Sequence, residues 1–258
     1  MSFFNKMLAR VGVGAAKIDT VLDQNEYYPN SEVRGIVYVQ GGNVDQDVGN
    51  IYIEVMTQYI REQDDKKHYV DYTIAKYRVS EKTQVKSGQK LEIPFGFTLP
   101  SQTPLTLSNQ KVWLHTGLDI EMSVDPTDQD YIVVRPHPYM DTVLEAAERL
   151  GFQFKASTVE YASRSPFGVP YIQEIEFYPG ARFHGRITEL ELMMSLTSNG
   201  LQILVEVDRR GRGLGGFLAN AFDMDERRAW LDLTPSDLNR GADYVAQQLE
   251  RLIDQQSR

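Results

Sequence analysis

The stretch Val85-Lys-Ser-Gly-Gln-Lys-Leu-Glu-Ile-Pro-Phe-Gly-Phe-Thr-Leu-Pro-Ser-Gln-Thr-Pro104 decides the fold. Leu91, Ile93, Phe95, Phe97 and Leu99 fall on alternate positions. Alternation with period two puts them on one face of a strand. Ser87-Gly88 is a turn signal ahead of it, and Pro100 and Pro104 end it. Pro94 lies inside the strand and has no N–H to give a ladder. The strand is therefore expected at a sheet edge, or with that N–H side free.

Working outward, Tyr28 to Val39 reads as an earlier strand with Val33, Gly35, Val37 and Val39 on its buried face. Ile51–Ile60 and His68–Val79 alternate in the same way. The charged run Arg61–Lys67 between them predicts a long antiparallel hairpin. Lys111–Val124 predicts a long strand with a bend at Gly117. Asp125-Pro126-Thr127-Asp128 is a turn, and Tyr131–Val134 closes the region. Strands at this density with no helix between them argue for an antiparallel β-sandwich over residues 1–135.

Arg135-Pro136-His137-Pro138 reads as a stiff boundary, opening a linker and helix over 136–151. Asp141 is the expected N-cap, Val143, Leu144, Ala147 and Leu150 form the apolar stripe, and Gly151 suits the C′ position. Residues 152–233 return to β, with strands at Tyr171–Phe177, Ile187–Leu196, Leu201–Val207 and Arg228–Leu233. Their length fits a smaller second β domain, either a short sandwich or an SH3-like barrel. Residues 234–258 predict an amphipathic helix that starts at Thr234-Pro235 and is striped by Leu238, Ala242, Val245, Leu249 and Leu252 or Ile253.

Composition narrows the function. The 258-residue chain has no cysteine, which excludes disulfides, cysteine-ligated zinc, iron–sulfur clusters and thiol nucleophiles. A net charge of −9 argues against a nucleic-acid binder, which needs a basic face for phosphates. Apolar runs fall well short of the ~20 residues of a membrane span. The N-terminus lacks a continuous apolar core of the kind a secretory signal carries, so no such signal is expected. Residues 2–13 suggest a short amphipathic helix with Phe3, Phe4, Met7 and Leu8 on its apolar side.

Reaction chemistry has few footholds. Gly211-Arg212-Gly213-Leu214-Gly215-Gly216 matches G-x-G-x-x-G after the strand Leu201–Val207. A nucleotide or phosphate site there needs a βαβ crossover, and the surrounding pattern is antiparallel. The bland alternative is a solvated strand-end loop. A third reading makes Arg209, Arg210 and Arg212 a basic docking spot for an acidic or phosphorylated partner. Asp125, Asp128 and Asp130 are close in sequence but lack EF-hand spacing, and no metal is assigned to them. His68, His115, His137 and His184 are dispersed without metal-ligand spacing, and no G-x-S-x-G elbow occurs. No catalytic residue and no cofactor is assigned.

The strand pair around Val33–Val39 and Leu91–Leu99 resembles the arrestin-type β-sandwich. The chain as a whole resembles the bacterial sporulation-control protein family of the stage-zero, M type. Gly14-Ala-Ala-Lys-Ile-Asp-Thr-Val-Leu22, Gly35-Ile-Val-Tyr-Val-Gln-Gly-Gly42 and Leu91–Pro100 carry the likeness. Val112-Trp-Leu-His-Thr-Gly-Leu-Asp-Ile120, with Asp125 and Asp130, and Asp208-Arg-Arg-Gly-Arg-Gly213 continue it. The resemblance implies an arrestin-like first domain and a non-enzymatic cytoplasmic regulator of entry into sporulation that works through protein partners. Candidate contact residues are Phe3, Phe4, Met7 and Leu8 near the start, Arg209, Arg210 and Arg212 in the loop, and Leu249 and Leu252 in the last helix. A homodimer joined by that helix is a further reading, and an enzyme using the Gly211–Gly216 loop is the alternative from a different class.

Overall fold

The computed structural model describes residues 16–120, 126–208 and 228–257. Their order is β1 (Lys17–Leu22), β2 (Glu26–Tyr27), β3 (Glu32–Gln40), β4 (Gln46–Gln63), β5 (Lys66–Ser80), β6 (Thr83–Val85), β7 (Lys90–Thr98), a 3-10 turn (Leu107–Asn109), β8 (Val112–Ile120), β9 (Thr127–Tyr131) and β10 (Val133–Val134). Then come α1 (Pro138–Arg149), β11 (Gln153–Tyr161), β12 (Tyr171–Tyr178), β13 (Glu189–Thr197), β14 (Gly200–Asp208), β15 (Arg228–Leu233), α2 (Pro235–Leu238) and α3 (Ala242–Gln256). The chain forms two compact units. One is Met1–Thr57, Tyr72–Pro100 and Lys111–Val134; the other is Gln58–Asp71, Ser101–Gln110 and Arg135–Arg258.

In the first unit, β1, β3 and β7 form one antiparallel sheet with β3 in the centre. In a second sheet, β4 pairs β8, which pairs β9, while β5 and β6 also pair β4. Val33, Val37 and Val39 on β3 are buried, as the alternation requires, along with Ile51, Ile53 and Val55 on β4 and Leu114 on β8. The two sheets meet through a hydroxyl–hydroxyl bond of 2.8 Å between Thr20 and Thr116. They also meet where the Tyr77 ring stacks on Phe97, centroids 4.2 Å apart. Gly35 is required by β1: a Cβ there would stand 2.3 Å from the Val21 carbonyl oxygen.

In the second unit, β11 to β15 pair in sequence order as an antiparallel sheet. The end of β4 lies parallel to β11, with Ile60 opposite Glu160. Helices α1 and α3 pack on each other and reach β11, β14 and β15. Met140, Val143, Ala146 and Ala147 of α1, and Val245, Leu249 and Ile253 of α3, are buried. A helical layer therefore covers the sheet where the sequence left a sandwich or a barrel open.

Two helix starts differ from expectation. His137, not Asp141, caps α1: its Nδ1 accepts the Tyr139 N–H at 3.2 Å, and Pro138 takes the first helical position. Proline's fixed φ suits that position and its missing N–H costs nothing there, so the helix begins a turn earlier. Thr234 caps as expected, through a capping box with Asp237, but it opens only the single turn α2. Gly241 then takes φ +85°, which a helix cannot continue through, and α3 starts afresh.

Gly35→Ala is expected to destabilise the protein by about 2–3 kcal/mol, because backbone of β1 must move. Gly88→Ala, at φ +70° in open space, should cost only about 1 kcal/mol of backbone strain. Leu249→Ala, at a fully buried position, should cost about 3 kcal/mol, and Leu252→Ala, half-buried, under about 1 kcal/mol. Urea unfolding of the four variants measures these differences.

Candidate interaction surface

The expected free edge is β7, the outer strand of β1-β3-β7. The Leu99 N–H bonds to Ser31 O at 2.9 Å, and Leu99 O accepts from Asn30 N–H at 3.0 Å. Odd positions thus bond inward, and Glu92, Pro94, Gly96 and Thr98 turn their backbone groups outward. Pro94 sits opposite Ile36 in the register. Its missing donor falls in the middle of the outward row. The Thr98 carbonyl accepts the Tyr77 hydroxyl at 2.8 Å. The edge is therefore blunted against an added strand, as exposed edges commonly are.

Phe3, Phe4, Met7, Leu8, Arg209, Arg210 and Arg212, and the Gly211–Gly216 loop, lie outside the described residues. The strands flanking that loop are informative. β14 and β15 are antiparallel neighbours, with Glu206 opposite Arg228. The loop joins a hairpin, and the parallel crossover that a dinucleotide fingerprint needs is not formed by these strands. Leu249 is fully buried, so it belongs to the core of the second unit and not to its surface. Leu252 is half-buried. With Val245, Leu249 and Ile253 turned inward, the main apolar stripe of α3 is used within the chain.

Among the exposed large apolar residues that the sequence reading passed over is Trp230. It lies on β15 and is 42% exposed. Its ring meets Phe167 edge to face, centroids 6.0 Å apart. Phe167 also packs on the buried cluster Ala162, Ile172, Met193 and Leu204. The available signal was alternation: Leu231 and Leu233 take one side of β15, so Trp230 takes the other.

Two residues further along each strand, that sheet face turns acidic. Glu176 stands opposite Glu191, Glu191 opposite Glu206, and Glu206 opposite Arg228. The Arg228 Nε donates to Glu206 at 2.6 Å. Lys155, at a bulge in β11, reaches Glu189 at 2.5 Å and Glu176 at 2.9 Å. Burial pushes the Glu174 carboxyl up to about 8, with Glu160 and Glu206 adding repulsion. Burial pushes Glu191 up to about 9, aided by Glu174 and Glu206. Glu189 is also raised, mainly by desolvation. For Lys155, desolvation is outweighed by its bonds to Glu189 and Glu176, so the ammonium is held charged.

In the first unit, Asp128 Oδ2 accepts the Thr20 N–H at 2.7 Å. Burial, with Asp128 and Asp19 nearby, pushes Asp130 up to about 6. Asp125 lies outside the described residues. Among the described residues no group of three or more His, Cys, Asp or Glu is placed to hold a metal. A cleft in the second unit, bordered by Thr103, Met140, Phe167, Gln173 and Met194, offers about 40 Å³. That is room for a few water molecules. No helix among the described residues is long and apolar enough to cross a membrane.

The family model described as SpoOM protein matches residues 4–211. The sporulation-control protein Spo0M of Bacillus subtilis (strain 168) is 38% identical over 256 residues, which is 99% of this chain and 99% of that protein. The crystal structure of Spo0M from the same organism matches with a TM-score of 0.88 and 37% identity, covering 95% of this chain and 100% of the other. Likeness of this extent, in sequence and in the β-rich architecture, places the chain in the Spo0M family of sporulation-control proteins.

Proposed function

We propose that this protein is a non-enzymatic cytoplasmic regulator of sporulation that acts through protein contacts, with an arrestin-like first unit. The end-to-end similarity to a protein named for sporulation control carries this reading. Both chains are covered almost completely, so the reading does not depend on one shared domain.

Surface chemistry supports contact over catalysis. Trp230 stands exposed beside Phe167 on the outermost strand of the second unit. Exposed tryptophan is enriched at the centre of protein interfaces, because its large ring buries much area at low entropic cost. With β7 blunted by Pro94, the β15 side is the better docking surface.

Expression of this chain in a Bacillus subtilis strain lacking its own Spo0M is expected to restore normal sporulation frequency. A photo-cross-linker in place of Trp230 should give discrete higher-mass adducts in those cells. The same probe at exposed Tyr69, on β5, should give few. Restored sporulation without adducts from Trp230 would overturn this docking surface, and no restoration would overturn the sporulation role.

A further inference from the structure

We propose that the carboxylates lined up across β11 to β14 form a pH-responsive element, which holds protons in the folded protein and weakens the second unit's sheet as pH rises. The proposal is independent of the docking surface at Trp230.

Geometry carries it. Directly opposed residues on antiparallel strands have Cβ atoms only about 5 Å apart, and like charges placed so are destabilising. Glu176, Glu191 and Glu206 occupy one such row over three neighbouring strands. Glu189 and Asp208 oppose each other in the next row. Glu189 and Glu206 are each only 9% exposed, so water screens them little. Among the described residues, the cations bonded to the row are Lys155, shared between Glu176 and Glu189, and Arg228, bonded to Glu206. Glu174 feels Glu160, Glu206 and Glu176, with Arg228 as its opposing charge. Glu160 feels Lys67 of β5 in its favour, and Glu176 and Glu62 of β4 against it. A proton on Glu191 or Glu174 relieves the repulsion.

The sign follows from linkage. A carboxyl whose affinity for protons is higher in the folded chain than in the unfolded one stabilises the fold in acid. That stability is lost as pH rises from the ordinary glutamate range through the folded value. With Glu174 at about 8 and Glu191 at about 9, the loss extends through pH 7–9. Asp130, raised only to about 6, completes its change below that window.

The test is urea unfolding of the full chain at pH 7, 8 and 9. The folding constant should fall about tenfold per pH unit for each extra proton that the folded state holds. Glu191→Gln copies the protonated shape without the charge, and Glu174→Gln does the same one row away. Each should flatten the fall. A wild-type folding constant that is flat or rising from pH 7 to 9 overturns the proposal, as does an undiminished fall in both variants. If the variants do not fold, carboxyl ¹³C NMR of the wild type decides: midpoints above pH 7 for Glu174 and Glu191 support the element, and midpoints below 6 overturn it.

Discussion

The register of β12, β13 and β14 sets Ile175, Leu192 and Val205 in one row, and Glu176, Glu191 and Glu206 in the row beside it. Adjacent residues of a strand point to opposite faces, so the same pairing builds both rows. Ile175, Leu192 and Val205 are almost wholly buried, on the side where α1 and α3 supply the covering layer. The register cannot slip by one residue without putting glutamates under the helices and aliphatics on the acidic face. Burial of one face thereby holds the carboxylates of the other in a row that would not form by itself.

The edges of the sheets follow a related logic. β7 ends its sheet with Pro94 opposite Ile36, and the Thr98 carbonyl already holds the Tyr77 hydroxyl. Such an edge resists strand addition. β15 carries no proline and places Trp230 outward. One edge is thus closed by its own residues, and the other presents an aromatic ring.

The local chemistry of the helix ends shows the same interplay of sequence and context. Pro138 and Pro235 both stand at the first position of a helix, and His137 and Thr234 cap those helices from the residue before. The second helix nevertheless stops after one turn, because Gly241 adopts a left-handed φ. The apolar stripe continues across that break, so periodicity alone reads one helix. Backbone dihedrals at a single glycine decide otherwise.

Much was legible in the sequence. Alternation placed the buried faces of β3 and β7, Pro94 announced an outer strand, and stretches along the chain carried the family resemblance. These are properties of residues near one another in the chain, where the periods of strand and helix are written directly. Other features came only with tertiary structure. Glu176, Glu191 and Glu206 are separated by 15 residues at each step and look like ordinary surface acids until pairing brings them side by side. Leu249 looks like a docking residue until α1 covers its face, and the segments 58–71 and 101–110 join the second unit although their neighbours belong to the first. Side-by-side placement across strands is a long-range relation that no local pattern encodes, and it alone turns scattered carboxylates into a coupled row.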